Sequence, residues 1–386
     1  MKEVGIIGIG KLGLSFALLL EQSGYNVHGS DISQEYNDKI NNKTLFSFEP
    51  RINELLGKSK NLTSSCDNLN VIKKSDIIFT FVQTPSNNDG GYDHSNIEDI
   101  INDFIISNGN GVNLTDKIFV IGCTTMPNYV DTVYERLKEY GVHVCYNPEF
   151  IAQGEIIKGL ELADMVLIGS SSDYATERLK AIYKDIMVIE PKFNIMSNTA
   201  AEITKISINC FLTTKISFAN MIGQVCLKSD IGDEINTVLN AIGDDSRIGS
   251  KYLKFGYGFG GPCLPRDNRA LGKHMTNIDL KVNLPYEVDG FNHNHNNFLY
   301  ETLIKQNPNK ERPFIFDSVS YKKGIDIITE SQQLKLAQTL LEDGYNVIII
   351  DTPQVIKLIE KSFSSNYSNK LTLSTNNTFE GFNVDI

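Results

Sequence analysis

Residues 4–13 read Val-Gly-Ile-Ile-Gly-Ile-Gly-Lys-Leu-Gly, and this stretch decides the fold of the first part of the chain. Its apolar beginning is typical of a buried strand, and the apolar residues from Leu12 to Leu20 follow with the spacing of a helix. The glycines form a G-x-G-x-x-G motif, which permits a tight turn and a close approach of the backbone to a pyrophosphate. Strand, glycine turn and helix in this order predict a dinucleotide site.

An acidic residue indicates which dinucleotide is bound. A second predicted strand, residues 25–30, ends at Asp31, at about the ~20-residue spacing expected of the acid that binds the adenosine ribose. A carboxylate here accepts hydrogen bonds from the ribose hydroxyls and repels a 2′-phosphate. We therefore expect NAD rather than NADP, bound by Gly8, Gly10, Lys11, Leu12, Gly13 and Asp31.

Further buried-strand patterns continue the predicted parallel sheet. Residues 77–82 and 118–122 are apolar runs, and each leads into a polar turn, which contains Thr84 and Thr125 respectively. Because ligands lie outside the carboxyl ends of such strands, both threonines are candidate contacts to cofactor or substrate, although each also suits a structural cap. A strand at 142–146 brings Glu149 to the same edge. Glu149 fits either a catalytic carboxylate or a surface residue.

The longest helical pattern covers residues 198–228 and has apolar residues on most of its sides. This pattern predicts a helix that is buried on most of its sides and therefore central. Lys205 and Asn209 are four residues apart and therefore share one face of it. Burying a lysine is costly, so Lys205 either serves a function or extends its ammonium group to water.

Residues 255–267, Phe-Gly-Tyr-Gly-Phe-Gly-Gly-Pro-Cys-Leu-Pro-Arg-Asp, form a predicted loop. Glycine is too free and proline too restricted for regular structure at this density. Such a loop suits a close approach of main chain to a ligand, and Cys263, Arg266 and Asp267 add a thiol, a cation and a carboxylate. By itself the stretch also fits an ordinary turn with an incidental cysteine.

A second α/β pattern follows the helical region. Residues 313–316 and 347–351 read as strands, 321–324 as a basic turn and 331–343 as a helix. The predicted fold is therefore α/β, with two Rossmann-like, doubly wound domains joined by a central helical domain. The predicted boundaries are 1–190 for the NAD-binding domain, 191–300 for the helical domain and 301–386 for the second Rossmann-like domain.

Composition limits the classes of function. The chain has 386 residues, 41% hydrophobic and 22% charged, as in soluble globular proteins. Its net charge of −11 argues against nucleic-acid binding, which needs a basic surface. No apolar run reaches the ~20 residues of a membrane span, and the N-terminal residues lack a secretory leader pattern, so we expect a cytoplasmic protein.

Neither a metal site nor a disulfide framework is indicated. The six cysteines form no C-x-x-C pair and have no histidine at a zinc-binding spacing. The segment 292–297 reads Asn-His-Asn-His-Asn-Asn, but histidines two residues apart do not share a helix face. A polar helix is the better interpretation of this segment.

Taken in order, the motifs resemble those of the UDP-glucose/GDP-mannose dehydrogenase family, and the similarity covers nearly the whole chain. The motifs are 8–13, Thr84-Pro85, 125–127, 147–150, 201–205 with Asn209, 247–249, 260–267, 321–324 and Glu330-Ser331. The resemblance implies an enzyme that oxidises the C6 alcohol of a nucleotide-linked hexose to a carboxylate, using two NAD per sugar. Supply of a capsule or other surface-polysaccharide precursor is part of that expectation.

The resemblance also implies roles for individual residues. Cys263 would be the nucleophile, Lys205 and Asn209 would stabilise an oxyanion, and Asp267 would handle a water molecule or its proton. Thr125, which with Thr84 is also expected near the cofactor, would help to hold that water, and Glu149 would act in thioester hydrolysis. Arg247 would reach the substrate of the neighbouring subunit in a homodimer built on helix 198–228. The implied substrate contacts are Phe150, Ile151, Lys205, Asn209, Arg247, Phe255, Tyr257, Gly258, Gly260 and Lys322.

Departures from the family pattern leave the substrate open. Gln153 stands where many relatives carry an acid, Thr329 where an arginine is common, and Lys11-Leu12 where Tyr-Val is more usual. The form of residues 147–150 favours UDP-glucose, with GDP-mannose and UDP-N-acetylhexosamines as alternatives. Two other classes are a two-electron β-hydroxyacid dehydrogenase and a nucleotide-sugar-binding protein without catalysis. The joint presence of a nucleophile and its partners favours the four-electron enzyme over both.

Overall fold

The computed structural model describes residues 2–151, 154–362, 367, 369–376 and 378–386 of the chain. These residues form two compact units, 1–205 and 206–386, here called unit 1 and unit 2. The boundaries at 190 and 300 that the sequence suggested stay a prediction. Gln153, one of the departures from the family pattern, lies outside the described residues.

Unit 1 contains an eight-stranded sheet with the strand order β3-β2-β1-β4-β5-β6-β7-β8. Neighbouring strands are parallel except β6 and β7. The order reverses between β1 and β4, which is the switch point where doubly wound sheets bind their ligands. The strands are β1 (Lys2–Ile7), β2 (Tyr25–Ser30), β3 (Leu62–Ser65), β4 (Ile77–Thr80), β5 (Ile118–Ile121), β6 (His143–Tyr146), β7 (Val166–Ser170) and β8 (Phe193–Met196).

Helices cover both faces of this sheet, which explains why all residues of β4 and β5 are buried. All of them are also apolar except Thr80. Two separate hydrophobic clusters lie on the two faces. The helices are α1 (Lys11–Gln22), α2 (Gln34–Asn41), α3 (Ile52–Lys58), α4 (Asn68–Lys74), α5 (Ser95–Gly109), α6 (Tyr129–Leu137), α7 (Ile156–Glu161) and α8 (Asp173–Ile186), with a short 3₁₀ turn at Lys138–Tyr140. The predicted N-terminal Rossmann fold is confirmed.

The long helix α9 runs from Asn198 to Lys228, as the sequence predicts, and its first two turns belong to unit 1. Among the described helices it alone is long and apolar enough to cross a membrane. Length and composition are weak evidence for a span, because core helices of soluble proteins have them too. The expected burial on most sides is wrong for the single chain, since Phe211 and Val225 are 65% and 54% exposed.

Unit 2 combines helices with a four-stranded parallel sheet of order β11-β10-β9-β12. The order again reverses beside the first strand of the sheet, as in half of a doubly wound fold. The remaining helices are α10 (Ile235–Asp244), α11 (Leu264–Asn277), α12 (Leu284–Gln306), α13 (Gln332–Glu342) and α14 (Pro353–Ser362), with a 3₁₀ turn at Gly232–Glu234. The strands are β9 (Phe314–Asp317), β10 (Val347–Ile350), β11 (Leu371–Ser374) and β12 (Phe382–Asn383).

Candidate active site

A cavity of about 690 Å³ lies in unit 1 beyond the carboxyl ends of β1, β2 and β4. It brings together all six residues predicted to bind the cofactor at the glycine motif and the strand end: Gly8, Gly10, Lys11, Leu12, Gly13 and Asp31. Thr84 and Thr125 are not part of the described wall. Cys66, Asn68 and Asp99 also line the cavity. Sequence reasoning missed these three. Cys66 and Asn68 follow β3, whose four residues give a weak pattern, and Asp99 lies within helix α5.

The glycine turn has the shape of a dinucleotide cradle. Gly8 has a φ of +85°, which favours glycine, and its N–H donates to the carbonyl of Ser30 at 2.9 Å. A Cβ on Gly13 would lie 2.4 Å from the carbonyl oxygen of Gly8, so helix α1 can approach the turn only without a side chain there. Helix α1 has no side-chain cap and no acid in its first turn, so its first N–H groups are available to an anion. These features fit a bound pyrophosphate.

Lys205 and Glu149 meet at the end of β6. The Lys205 ammonium donates to the backbone carbonyl of Glu149 at 2.6 Å and lies 4.5 Å from the centre of the Phe150 ring. Lys205 is buried, so its ammonium group has lost much of its hydration. The carbonyl and the ring compensate for part of that loss. The structure therefore places three predicted site residues in one group. Ile151 instead packs against Gly159 of α7.

Tyr183 of α8 was not found from the sequence, although it contacts this group directly. Its hydroxyl lies 2.6 Å from Glu149 Oε1 and 2.7 Å from Asn147 Oδ1. Burial raises the pKa of Glu149, against the opposing effects of the Tyr183 hydrogen bond and the Lys205 charge. A carboxyl group with a raised pKa exchanges protons more readily near neutral pH than an ordinary glutamate.

Thr125 lies in a turn that Glu202 of α9 holds. Glu202 is fully buried, and its carboxylate accepts hydrogen bonds from Thr125 Oγ1 at 2.8 Å, Val130 N at 2.9 Å and Asn128 N at 2.6 Å. On the other side of the turn, Thr84 Oγ1 donates to the carbonyl of Thr124 at 2.8 Å. Both predicted threonines thus fix the turn between β5 and α6. Glu202 was missed because a glutamate near the start of a helix looks like a surface residue.

Glu202 gives the first testable expectation. Burial raises its pKa to about 7, so folding stabilises the protonated form relative to the unfolded chain. The stability that this group contributes is complete below its unfolded pKa and is lost as the pH rises towards 7. We expect the melting-temperature advantage of wild type over Glu202→Gln to be larger at pH 5 than at pH 8. Thermal unfolding at both pH values measures this, and an equal or reversed difference contradicts it.

In unit 2, Cys263 directly precedes helix α11, and Asp267 lies in the first turn of that helix. Cys263 is exposed, whereas Asp267 is buried and its Oδ2 accepts a hydrogen bond from Asn209 Nδ2 at 2.6 Å. The N-terminal end of a helix favours negative charge, which suits a thiolate. Asn209, Cys263 and Asp267 are therefore brought together within this unit.

The six cysteines differ in exposure. Cys66 and Cys263 are exposed, Cys123 is partly buried and the other three are buried. Burial raises the pKa of Cys123, Cys145 and Cys210 to about 12. These three thiols therefore remain protonated and unreactive at neutral pH.

The glycine loop before Cys263 packs tightly against residues 321–330. Gly261 N donates to the carbonyl of Thr329 at 3.1 Å, and a Cβ on Gly260 would lie 2.4 Å from the carbonyl oxygen of Glu330. The ring of Tyr321 covers Gly261. Phe255 and Tyr257 pack against the hydrophobic core of unit 2.

Two further predicted substrate contacts are basic side chains at the surface of unit 2. Lys322 is exposed, and so is Arg247, whose guanidinium donates to Asp245 at 2.9 and 2.6 Å. The side chain of Arg247 remains 86% exposed despite this ion pair. Their contacts with a substrate stay a prediction.

Comparison with known proteins agrees with the motifs. The model of the NAD-binding domain of the UDP-glucose/GDP-mannose dehydrogenase family matches residues 2–187, and the model of its central domain matches residues 199–294. The chain is 27% identical over 356 residues to UDP-glucose 6-dehydrogenase of Pseudomonas aeruginosa, covering 89% of this chain and 77% of that protein. It is 28% identical over 367 residues to GDP-mannose 6-dehydrogenase of Pseudomonas savastanoi pv. phaseolicola, covering 91% and 81%.

A solved structure supports the fold. A UDP-glucose dehydrogenase from Pyrobaculum islandicum superposes with a TM-score of 0.87 and covers 97% of this chain and 86% of its own. The two share 24% sequence identity, so this comparison bears on the fold alone.

The doubly wound sheet, the glycine cradle and Asp31 at the end of β2 define a dinucleotide-binding domain of the kind that NAD-dependent dehydrogenases use. Because the two family models together match more than half of its residues, the chain belongs to the UDP-glucose/GDP-mannose dehydrogenase family. The resemblance found in the motifs is thereby confirmed, and so is NAD as the cofactor. Nucleotide sugars are the class of substrate that this family defines.

Proposed function

We propose that the protein oxidises the C6 hydroxyl of a nucleotide sugar to a carboxylate in two two-electron steps, with UDP-glucose as the favoured substrate. The observation that carries the proposal is the exposed Cys263 at the N-terminal end of α11, one helical turn before the buried Asp267. When bound, NAD supplies the oxidising power by accepting one hydride in each step. We expect the reaction to take place in the cytoplasm.

A cysteine nucleophile explains how one active site completes both oxidations. The thiolate of Cys263 adds to the C6 aldehyde formed in the first step and gives a thiohemiacetal, whose oxyanion then takes up a proton. Loss of that proton and of the C6 hydride gives a thioester. Water attacks the thioester carbonyl, the C–S bond breaks, and the carboxylate and free thiol are released. Sulfur suits both steps, because it is a strong nucleophile and a good leaving group.

The partner residues have properties that suit this sequence. Lys205 and Asn209 carry the N–H donors that would stabilise the oxyanion. The hydrogen bond from Asn209 holds the Asp267 carboxylate, which would take a proton from the attacking water. Thr125 would hold that water, and Glu149, with its raised pKa, would assist hydrolysis of the thioester.

The number of NADH molecules formed per sugar tests the proposal. We expect two NADH per sugar and a uronate product with UDP-glucose, and lower kcat/KM with GDP-mannose and UDP-N-acetylglucosamine. The relatives named for UDP-glucose and for GDP-mannose match at 27% and 28% identity, so the substrate has to be settled by such a panel. One NADH with an accumulating aldehyde, or binding without turnover, would overturn the four-electron mechanism.

A homodimer through helix α9 is part of the proposal. Phe211, Phe218 and Val225 are spaced seven residues apart, so they form an apolar stripe along one side of the helix, with Met221 beside it. All four side chains are exposed in the single chain, at 41% to 65%. Such a stripe suits packing against the same helix of a second copy, related by a twofold axis.

We expect Phe211→Asp combined with Phe218→Asp to convert the dimer to a monomer, because two carboxylates would be buried in an apolar contact. Light scattering after size exclusion measures the mass, and an exposed change elsewhere, Ile106→Asp on α5, is the control. A wild-type monomer, or a double variant that stays dimeric, would contradict the proposed contact.

The position of Arg247 in the dimer is tested by mixing two inactive variants. If Arg247 serves the partner's site, a heterodimer of Cys263→Ser and Arg247→Ala has one complete site and regains activity. If Arg247 serves its own site, the heterodimer has none. Coexpression with two affinity tags isolates the heterodimer. Absence of activity in it would overturn the shared site.

A further inference from the structure

The polar segment 292–297 has no part in the function proposed above, although half of it is buried. It lies inside α12, as the polar-helix interpretation predicted. Asn292, His295 and Asn296 share one face of the helix and are at most 8% exposed, whereas His293 and Asn294 are exposed. Buried polar groups need hydrogen-bond partners, so the buried face must be matched by polar groups opposite it.

The partner of Asn292 is the backbone of the glycine loop. Its Oδ1 accepts a hydrogen bond from Phe259 N at 2.8 Å, and its Nδ2 donates to Phe259 O at 3.0 Å. The carboxamide thus pairs with both main-chain groups of one residue, as a neighbouring strand would. A Cβ on Gly258 would lie 2.1 Å from Asn292 Oδ1, so this pairing requires glycine at 258.

His295 holds the same loop three residues earlier. Its Nε2 lies 2.7 Å from the carbonyl oxygen of Gly256, which can only accept, so Nε2 carries the hydrogen. Its Nδ1 then accepts from Gln224 Nε2 at 2.8 Å, which fixes the tautomer. The ring is stacked between Phe291 and Phe298. Burial lowers the pKa of His295, in keeping with a neutral ring that donates through Nε2.

Asn220 of α9 completes the set. Its Oδ1 accepts from Gly256 N at 3.0 Å, and its Nδ2 donates to Tyr257 O at 3.3 Å. The main chain at 256, 257 and 259 is therefore held by side chains of two helices. A loop with this many glycines cannot keep one conformation by itself, because glycine loses more conformational freedom on ordering than any other residue.

We propose that Asn292 and His295 are positioning residues that fix the backbone of residues 256–259 and thereby set the affinity for the nucleotide sugar. The inference rests on the proposed function and on the expectation, drawn from the family resemblance, that Tyr257 and Gly258 contact the sugar. Neither side chain touches the reacting atoms in this arrangement. Their effect is on binding of the sugar substrate, with the NAD site in unit 1 unaffected.

Two variants test the positioning role, and each has a matched control on the same helix. The new side chain is nearly isosteric with the old one in the first variant and fills much of the volume of the imidazole ring in the second. Asn292→Asp replaces the N–H donor opposite Phe259 O with an oxygen, and His295→Leu removes the donor to Gly256 O. We expect each to raise both KM and Kd for UDP-glucose about tenfold or more, the loss of about 1.4 kcal/mol of binding, while Kd for NAD stays within about twofold. The controls are Asn294→Asp and His293→Leu at exposed positions.

A conservative replacement separates positioning from general destabilisation. In His295→Gln the side-chain amide can still donate to Gly256 O, so most of the affinity for the sugar should return, which a mere packing defect would not allow. Hydrogen exchange gives a readout that needs no substrate: the amides of Gly256 and Phe259 should exchange about tenfold faster in Asn292→Asp and His295→Leu than in the controls. If those two variants misfold, Gly258→Ala, whose Cβ would lie 2.1 Å from Asn292 Oδ1, disturbs the same contact from the loop, and it should speed exchange of the Phe259 amide by a similar factor.

The results of these experiments distinguish a failure of the inference from a failure of the proposed function. If the wild type binds the sugar, an unchanged Kd for the sugar in folded Asn292→Asp and His295→Leu overturns the inference and leaves the proposed function standing. Wild-type protein that binds no nucleotide sugar refutes the proposed function and, with it, the substrate half of the inference. Faster exchange together with weaker sugar binding and normal NAD binding supports both.

Discussion

Replacing Cys263 by serine is expected to abolish formation of the carboxylate, with kcat for the full reaction lowered on the order of 10³-fold or more, as when other covalent nucleophiles are removed. A serine hydroxyl is a far weaker nucleophile than a thiolate, so the aldehyde is not captured. NAD binding should be unchanged, because the cofactor cavity lies in unit 1 and Cys263 in unit 2. Uronate production and NADH yield per sugar, measured by chromatography and absorbance, check this.

The matched control for Cys263→Ser is Cys226→Ala, which removes a buried thiol from the core of unit 2. Its activity should stay within about twofold of wild type once it is folded, since a modest loss of packing affects stability rather than chemistry. Full uronate production by Cys263→Ser would contradict the covalent mechanism.

Replacing Gly13 by alanine is the second change with a large expected effect. The added Cβ would lie 2.4 Å from the carbonyl oxygen of Gly8. This oxygen belongs to the backbone, so the clash cannot be relieved by a change of side-chain rotamer. Either helix α1 or the turn must shift, and both carry the groups that suit a pyrophosphate. We expect Kd for NAD to rise about 100-fold, equivalent to about 2.7 kcal/mol, as measured by calorimetry.

Gly57→Ala is the control for Gly13→Ala. Gly57 lies in helix α3, where an added Cβ meets no atom within 4 Å, so alanine should be tolerated and even favoured. Binding of the nucleotide sugar gives a second reference, because it should survive in Gly13→Ala if the variant is folded. Normal NAD affinity in that variant would show that the cradle does not hold the pyrophosphate.

The parts of the fold that depend on local sequence patterns could be predicted. The glycine motif predicted the turn between the first strand and helix α1, and helix α9 begins and ends where its apolar run does. Strands β4 and β5 were predicted slightly too long, because the apolar pattern continues into the turns that carry the site. The second Rossmann-like sheet followed from the same alternation of strand and helix.

The residues that sequence reasoning missed act over long sequence separations. Tyr183 meets Glu149 from a helix more than thirty residues later, and Glu202 reaches Thr125 across 77 residues. No local spacing encodes such pairs, which depend on how helices pack on the sheet. The apolar stripe of α9 was misjudged for a related reason: apolar residues that are exposed in the single chain have the same spacing as apolar residues in a core.

Because the cysteines differ in exposure, thiol labelling of the native protein can measure ligand binding. A maleimide at neutral pH should modify Cys66 and Cys263, because the pKa of about 12 at Cys123, Cys145 and Cys210 keeps those thiols inert. Cys66 lines the cofactor cavity, so NAD should shield it, whereas the sugar should shield Cys263. Mass spectrometry of the two labelled peptides would then give the occupancy of each ligand separately, without catalysis.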